Sequence, residues 1–210
     1  LAYPYWHQAW TANDRLSPPV KYPVASACII AVYQELLKTH AAKDIVIYGT
    51  SAGAFLTAQV LVRLKQLNLP LPAAAGIFSG AGSLEAAGES MLRMNPLIPM
   101  LSDKMVKASF DGYRGDVDPK DPMLAPIYGD LHGLPPVLLL SGTRDMLLSG
   151  TIILHRALLK ADVDADLVVF EGMRQAHWMC QETKQANEAR FCSAVLVVLL
   201  GAVSGGERPF

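Results

Sequence analysis

The chain has 210 residues, 51% of them apolar and 18% charged, enough for one large domain with a substantial buried core. That balance excludes disorder for the bulk of the chain, since disorder needs low hydrophobicity with high net charge. Eighteen basic against nineteen acidic residues give a net charge of -1. With no run of like charges, nucleic acid and anionic membranes have no electrostatic support as partners. Cys28, Cys180 and Cys192 form neither a disulfide framework nor a Cys-x-x-Cys metal pattern. A reducing compartment, hence a cytoplasmic location, is the expectation.

No basic stretch followed by an apolar run opens the chain, so no signal peptide is read. The longest apolar tract, Phe191–Val203, falls short of the roughly 18 residues a membrane span needs and reads as a packed C-terminal helix. The start at Leu1 suggests a fragment or a processed form.

In chain order, Val24–His40 repeats apolar residues at Ile29, Val32, Tyr33 and Leu36, which predicts a helix. The β-branched run Ile45–Tyr48 suits a buried parallel strand. Ser51–Leu67, with Leu56, Val60, Leu64 and Leu67 in register, is a helix that stops near Asn68 and Pro70. Further strands are expected at Ala73–Ser79, Pro136–Ser141 and Leu167–Phe170. Helices are expected at Ser149–Ala161 and from about Thr183. This alternation implies an α/β fold, a mostly parallel sheet with helices on both faces. The stretch 83–122 breaks the rhythm, carrying Met91, Met94, Met100 and Met105 among several prolines. It is longer than a crossover requires. It reads either as a small helical cap with an adaptable apolar lining or as ordinary packing helices.

Gly49-Thr50-Ser51-Ala52-Gly53 fits G-x-S-x-G, set between a β-branched strand and an amphipathic helix. A sharp turn there lifts the Ser51 hydroxyl clear of the sheet, glycines on either side giving it room, and aims the Ala52 amide at a developing oxyanion. The bland alternative is a helix N-cap serine. A serine hydroxyl needs a base, and the base must lie beyond the carboxyl ends of the strands. His132 and His40 precede strands, His155 lies within a helix, and His7 cannot be placed. His177 follows the strand Leu167–Phe170 and is the candidate base. By the same rule Asp145, just after Pro136–Ser141, is the candidate acid that orients the imidazole, whereas Asp162, Asp164 and Asp166 precede a strand. The neighbours His177, Cys180 and Glu182 lack further ligands to complete a metal site. No phosphate loop or nicotinamide fingerprint is present. No cofactor is expected.

From about Asp14 to Glu182 the chain resembles the hormone-sensitive-lipase-like branch of the α/β-hydrolases. Asp14-Arg15-Leu16-Ser17-Pro18 with Tyr22-Pro23 is similar to that family's Y-R-L-A-P…F/Y-P segment, and Gly49–Gly53 to its elbow. Gly142–Asp145 resembles its acid loop, Gly172–His177 its histidine loop, and Asp121-Pro122 with Ala125-Pro126 its region after the cap. The resemblance implies a single α/β-hydrolase domain over 1–210 with a cap-like insertion at 83–122. It makes Ser51, Asp145 and His177 nucleophile, acid and base. It implies a serine carboxylesterase acting on short or medium acyl esters, small molecules, through an acyl-enzyme. A lactone or amide hydrolase, or a non-catalytic hydrolase-fold binding protein, stands beside that reading. The family's His-Gly-Gly segment, which supplies half of the oxyanion hole, is not found; His132-Gly133 precedes a strand. Either upstream sequence has been lost, making the chain N-terminally truncated with reduced activity and a bared sheet edge beside Ile45–Tyr48 that favours a homo-oligomer, or the chain replaces that segment in another way. Tyr3, Tyr5, Trp6 and Trp10 would cover that surface or line the substrate entrance.

Overall fold

The computed structural model describes residues 21–83, 85, 88–94, 103–180 and 184–185. The expected terminal helix from Thr183, the apolar tail, the Asp14–Pro18 segment, His7 and the N-terminal aromatic cluster lie, wholly or almost wholly, outside them. Ten elements follow in order: α1 (Val24–Leu36), β1 (Val46–Thr50), α2 (Ala52–Gln66), β2 (Ala74–Phe78), α3 (Gly88–Met94), α4 (Asp103–Arg114), β3 (Val137–Arg144), α5 (Leu148–Lys160), β4 (Ala165–Arg174) and α6 (His177–Cys180). Every strand expected from the sequence is present. Both β3 and β4 run further toward their carboxyl ends than the apolar runs alone suggest. Polar residues such as Thr143 and Arg144 can extend a strand once a neighbouring strand supplies the ladder.

The sheet is parallel throughout, in the order β1-β2-β3-β4. Right-handed crossovers that always add the next strand on the same side place their helices on one face. Accordingly α2 and α5 share a core with Ala75, Ile77, Val137 and Leu139, through Ala54, Ala58, Leu61, Leu154 and Leu158. Among the described residues the opposite face carries Phe78, Leu140 and Phe170, covered by Trp178 of α6. Helix α1 packs Ile30 and Tyr33 against Ile45, Val60 and Leu64 at the β1 side. No helix among the described residues is long and apolar enough to cross a membrane.

The stretch between β2 and β3 holds α3 and α4, and both are tied to the body beside the carboxyl edge. Phe110 of α4 meets Phe55 of α2 edge-on at 4.6 Å. The Tyr113 hydroxyl donates to Gln59 Oε1 at 3.1 Å, while buried Gln59 donates through Nε2 to the Leu124 carbonyl at 2.7 Å. On α3, Ser90 donates its hydroxyl to the Met146 carbonyl at 2.8 Å and accepts from the Ser149 amide at 2.9 Å.

Candidate active site

Ser51 stands at the junction of β1 and α2 with φ 57 and ψ -118. This left-handed backbone costs a non-glycine residue about 1–3 kcal/mol, and such strain persists only where its surroundings enforce it. The enforcement is visible on both sides. The Ser51 amide donates to the Phe78 carbonyl of β2 at 3.0 Å, and its carbonyl accepts from the Phe55 amide at 3.2 Å. A Cβ on Gly49 would lie 2.2 Å from the Gly53 carbonyl oxygen, so only glycine lets the strand end approach the helix start this closely. Gly53 differs from the expectation that both glycines are needed for room, since a Cβ there meets nothing within 4 Å. Ala52 is the first residue of α2, where the opening amides have no intrahelical acceptor and the helix dipole is positive. An N–H in that position can receive negative charge developing beside Ser51.

Asp145 follows β3 directly and is fully buried. Its carboxylate accepts from the Ser141 hydroxyl at 2.9 Å and the Leu147 amide at 2.9 Å, with the Ser79 side chain beside it. Burial pushes its pKa up, against these donors and the nearby charge of His177. Gly142 shapes this corner: an added Cβ would sit 2.2 Å from the Met173 carbonyl oxygen, beside the irregularity that lets β3 and β4 converge.

His177 opens α6 and is buried, its ring between Phe170 at 5.1 Å and Trp178 at 4.8 Å. Its Nδ1 faces the Arg174 carbonyl at 3.3 Å. Its Nε2 is buried and makes no hydrogen bond to a side chain among the described residues. Burial holds the imidazole pKa below its ordinary value, opposed by the backbone of Arg174 and Gln185 and by the Asp145 charge. Asp145 and His177 are thus brought into one electrostatic neighbourhood, but neither ring nitrogen hydrogen-bonds Ser51. That position is taken by Gln175, whose Nε2 donates to Ser51 Oγ at 2.8 Å.

The other described histidines stand apart. His132 binds Asp130, itself paired with Lys65, ahead of β3; His40 meets Thr39 at the end of α1; and His155 of α5 meets the Ala165 carbonyl. Glu182 lies outside the described residues. Sequence reasoning missed Gln175 and Ser79. Ser79 ends β2 at the same carboxyl edge that identified Asp145, so the strand-end rule could have found it. Gln175 carries no such signal beyond its place two residues before His177.

Comparison with known proteins agrees with this architecture. An esterase of Acinetobacter venetianus is 33% identical over 160 residues, 75% of this chain and 53% of that protein. An acetyl-hydrolase of Streptomyces hygroscopicus is 32% identical over 166 residues, 78% of this chain and 56% of that protein. The chain therefore spans about half the length of the curated relatives it matches. A solved esterase of the bacterial hormone-sensitive lipase family superposes with a TM-score of 0.83 at 30% identity, over 88% of this chain and 63% of that one. The resemblance first seen in the elbow, acid and histidine loops extends to the whole described body. The α/β-hydrolase fold family matches residues 9–179, and with its parallel sheet and strained serine between strand and helix, the chain belongs to that family.

Proposed function

We propose that the protein is a serine hydrolase of carboxylic esters with short or medium acyl chains. The observation that carries this reading is the backbone of Ser51, forced into a left-handed turn between β1 and α2 with its side chain only partly buried. Such a turn is costly and has little use except to present a nucleophile. Ser51 attacks the ester carbonyl, the Ala52 amide stabilises the tetrahedral oxyanion, and the alcohol leaves behind an acyl-enzyme that water hydrolyses. His177 is the base of this scheme and Asp145 its orienting acid. To accept the proton, the His177 ring leaves its seat against Phe170 and Trp178. The relatives named esterase and acetyl-hydrolase support the ester class. The placement of α4 beside α2, with Phe55 against Phe110, supports reading 83–122 as a cap that lines an apolar acyl pocket.

A second reading, a hydrolase-fold protein that binds without turnover, is favoured by the Gln175–Ser51 hydrogen bond. Labelling with a fluorophosphonate separates the two. Stoichiometric modification of Ser51, lost in Ser51→Ala, supports hydrolysis; a folded protein that takes no label supports binding alone. A series of p-nitrophenyl esters beside simple lactones and anilides then sorts ester from lactone and amide chemistry.

A further inference from the structure

The side chain nearest to the Ser51 oxygen on the histidine loop is an amide. Gln175 Nε2 donates to Ser51 Oγ at 2.8 Å. A carboxamide takes up no proton near neutral pH, and a donor on Oγ draws electron density away from the atom that must attack. Two residues later the one titratable side chain of the loop's end, His177, points elsewhere. It is buried against Phe170 and Trp178, with Nδ1 on the Arg174 carbonyl and the Gln185 backbone beside the ring. That orientation is imposed by its surroundings.

The imposition is traceable to Ala176, between the two. Its amide donates to Ser79 Oγ at 3.1 Å, and its carbonyl accepts from the Met179 amide at 2.9 Å. The Ser79 side chain itself lies beside the Asp145 carboxylate. Ala176 adopts φ 51 and Ser79 φ 48, so two left-handed residues meet at this bond. In an extended strand residues 175 and 177 would face the same side. The left-handed turn at Ala176 sends them apart, Gln175 to Ser51 and His177 into the aromatic seat.

We propose that Gln175 gates the nucleophile: its amide fills the seat a general base needs beside Ser51, and the hydrogen bond from Ala176 to Ser79 locks it there. This rests on the ester-hydrolase reading of Ser51 and goes beyond it. Proton transfer to His177 then requires the loop to release Gln175, and Ser51 acylates slowly in the native chain.

The test is the rate of Ser51 acylation by p-nitrophenyl acetate in single turnover, with folding checked by circular dichroism. Gln175→His places an imidazole in the seat. It is expected to raise the rate by about 10²-fold or more, the usual contribution of a positioned base. The new rate should follow a single imidazole-like titration and persist when His177→Asn is added. As a second measurement, Gln175→Ala opens the seat, and free imidazole should accelerate its acylation by about tenfold beyond any effect on the native chain. A Gln175→His rate no higher than native, with native acylation abolished by His177→Asn, overturns the gate while leaving the hydrolase reading intact. So does the absence of imidazole rescue in Gln175→Ala. If Ser51 stays unmodified in every folded variant, it is the hydrolase reading that falls, and the gate with it.

Discussion

Replacing Gly49 by alanine tests the elbow through its backbone. The new Cβ would lie 2.2 Å from the Gly53 carbonyl oxygen, 2.3 Å from its carbon and 2.8 Å from the Ala54 nitrogen. Ordinary van der Waals contact begins near 3.4 Å, so the start of α2 and the end of β1 must separate by about 1 Å. All three atoms are backbone, and no rotamer change can relieve them. The movement carries Ser51 and the Ala52 amide with it. Overpacking of this kind costs about 1–3 kcal/mol, and a 1 Å misplacement of a reacting group costs about 10²-fold in rate. Urea unfolding would read the first and fluorophosphonate labelling of Ser51 the second. Gly53→Ala is the contrast: its Cβ meets nothing within 4 Å, and alanine favours a helix over glycine by up to about 1 kcal/mol. A Gly49→Ala protein as stable and as quickly labelled as the native one, or a Gly53→Ala protein destabilised as much as Gly49→Ala, would refute the close approach at this turn.

Two further outcomes follow from buried polar groups. Gln59→Leu leaves the Leu124 carbonyl without its 2.7 Å partner and removes the acceptor of Tyr113. It should cost about 1–3 kcal/mol in urea unfolding and loosen α4, read as faster hydrogen exchange over 103–114. Unchanged exchange there would show that the remaining contacts, Phe110 on Phe55 and Tyr113 on Tyr22, suffice to hold the helix. His177 is buried with its pKa lowered from the ordinary 6.5, so the native state prefers the neutral ring. Its contribution to stability is complete above that value and is lost as pH falls through the lowered native one. The urea midpoint should therefore drop on going from about pH 8 to about pH 5, and His177→Gln should flatten the drop. An equal drop in both proteins would place the titration in other groups; Asp145 is not one of them, since its raised pKa makes acidification favour the native state.

Much of this molecule can be read from local sequence because local physics decides it. The β-branched run at Ile45–Tyr48 and the apolar run Leu138-Leu139-Leu140 need a buried strand whatever surrounds them. A serine among small residues between such a strand and an amphipathic helix has few places to go. Asp145 followed from one rule, that functional groups gather at the carboxyl edge, and the structure puts it there beneath the Ser141 hydroxyl and the Leu147 amide. The histidine loop obeyed no local rule. Whether Gln175 or His177 turns toward Ser51 depends on a hydrogen bond from Ala176 to Ser79, 97 residues away, and on two left-handed backbones. Neither serine nor alanine announces such a conformation. The placement of α2 and α5 on one face likewise depends on strand order, which no single segment encodes.

The central claim is that Ser51 forms a covalent bond to the acyl group of an ester. Quenching the protein in acid at successive times after mixing with p-nitrophenyl acetate, long enough for slow acylation to complete, followed by peptide mass spectrometry, reads that bond directly. One acetyl group on the peptide containing Ser51, absent from Ser51→Ala, is the expected result. Ester consumption with no acetyl on Ser51, or the same modification retained in Ser51→Ala, would contradict it.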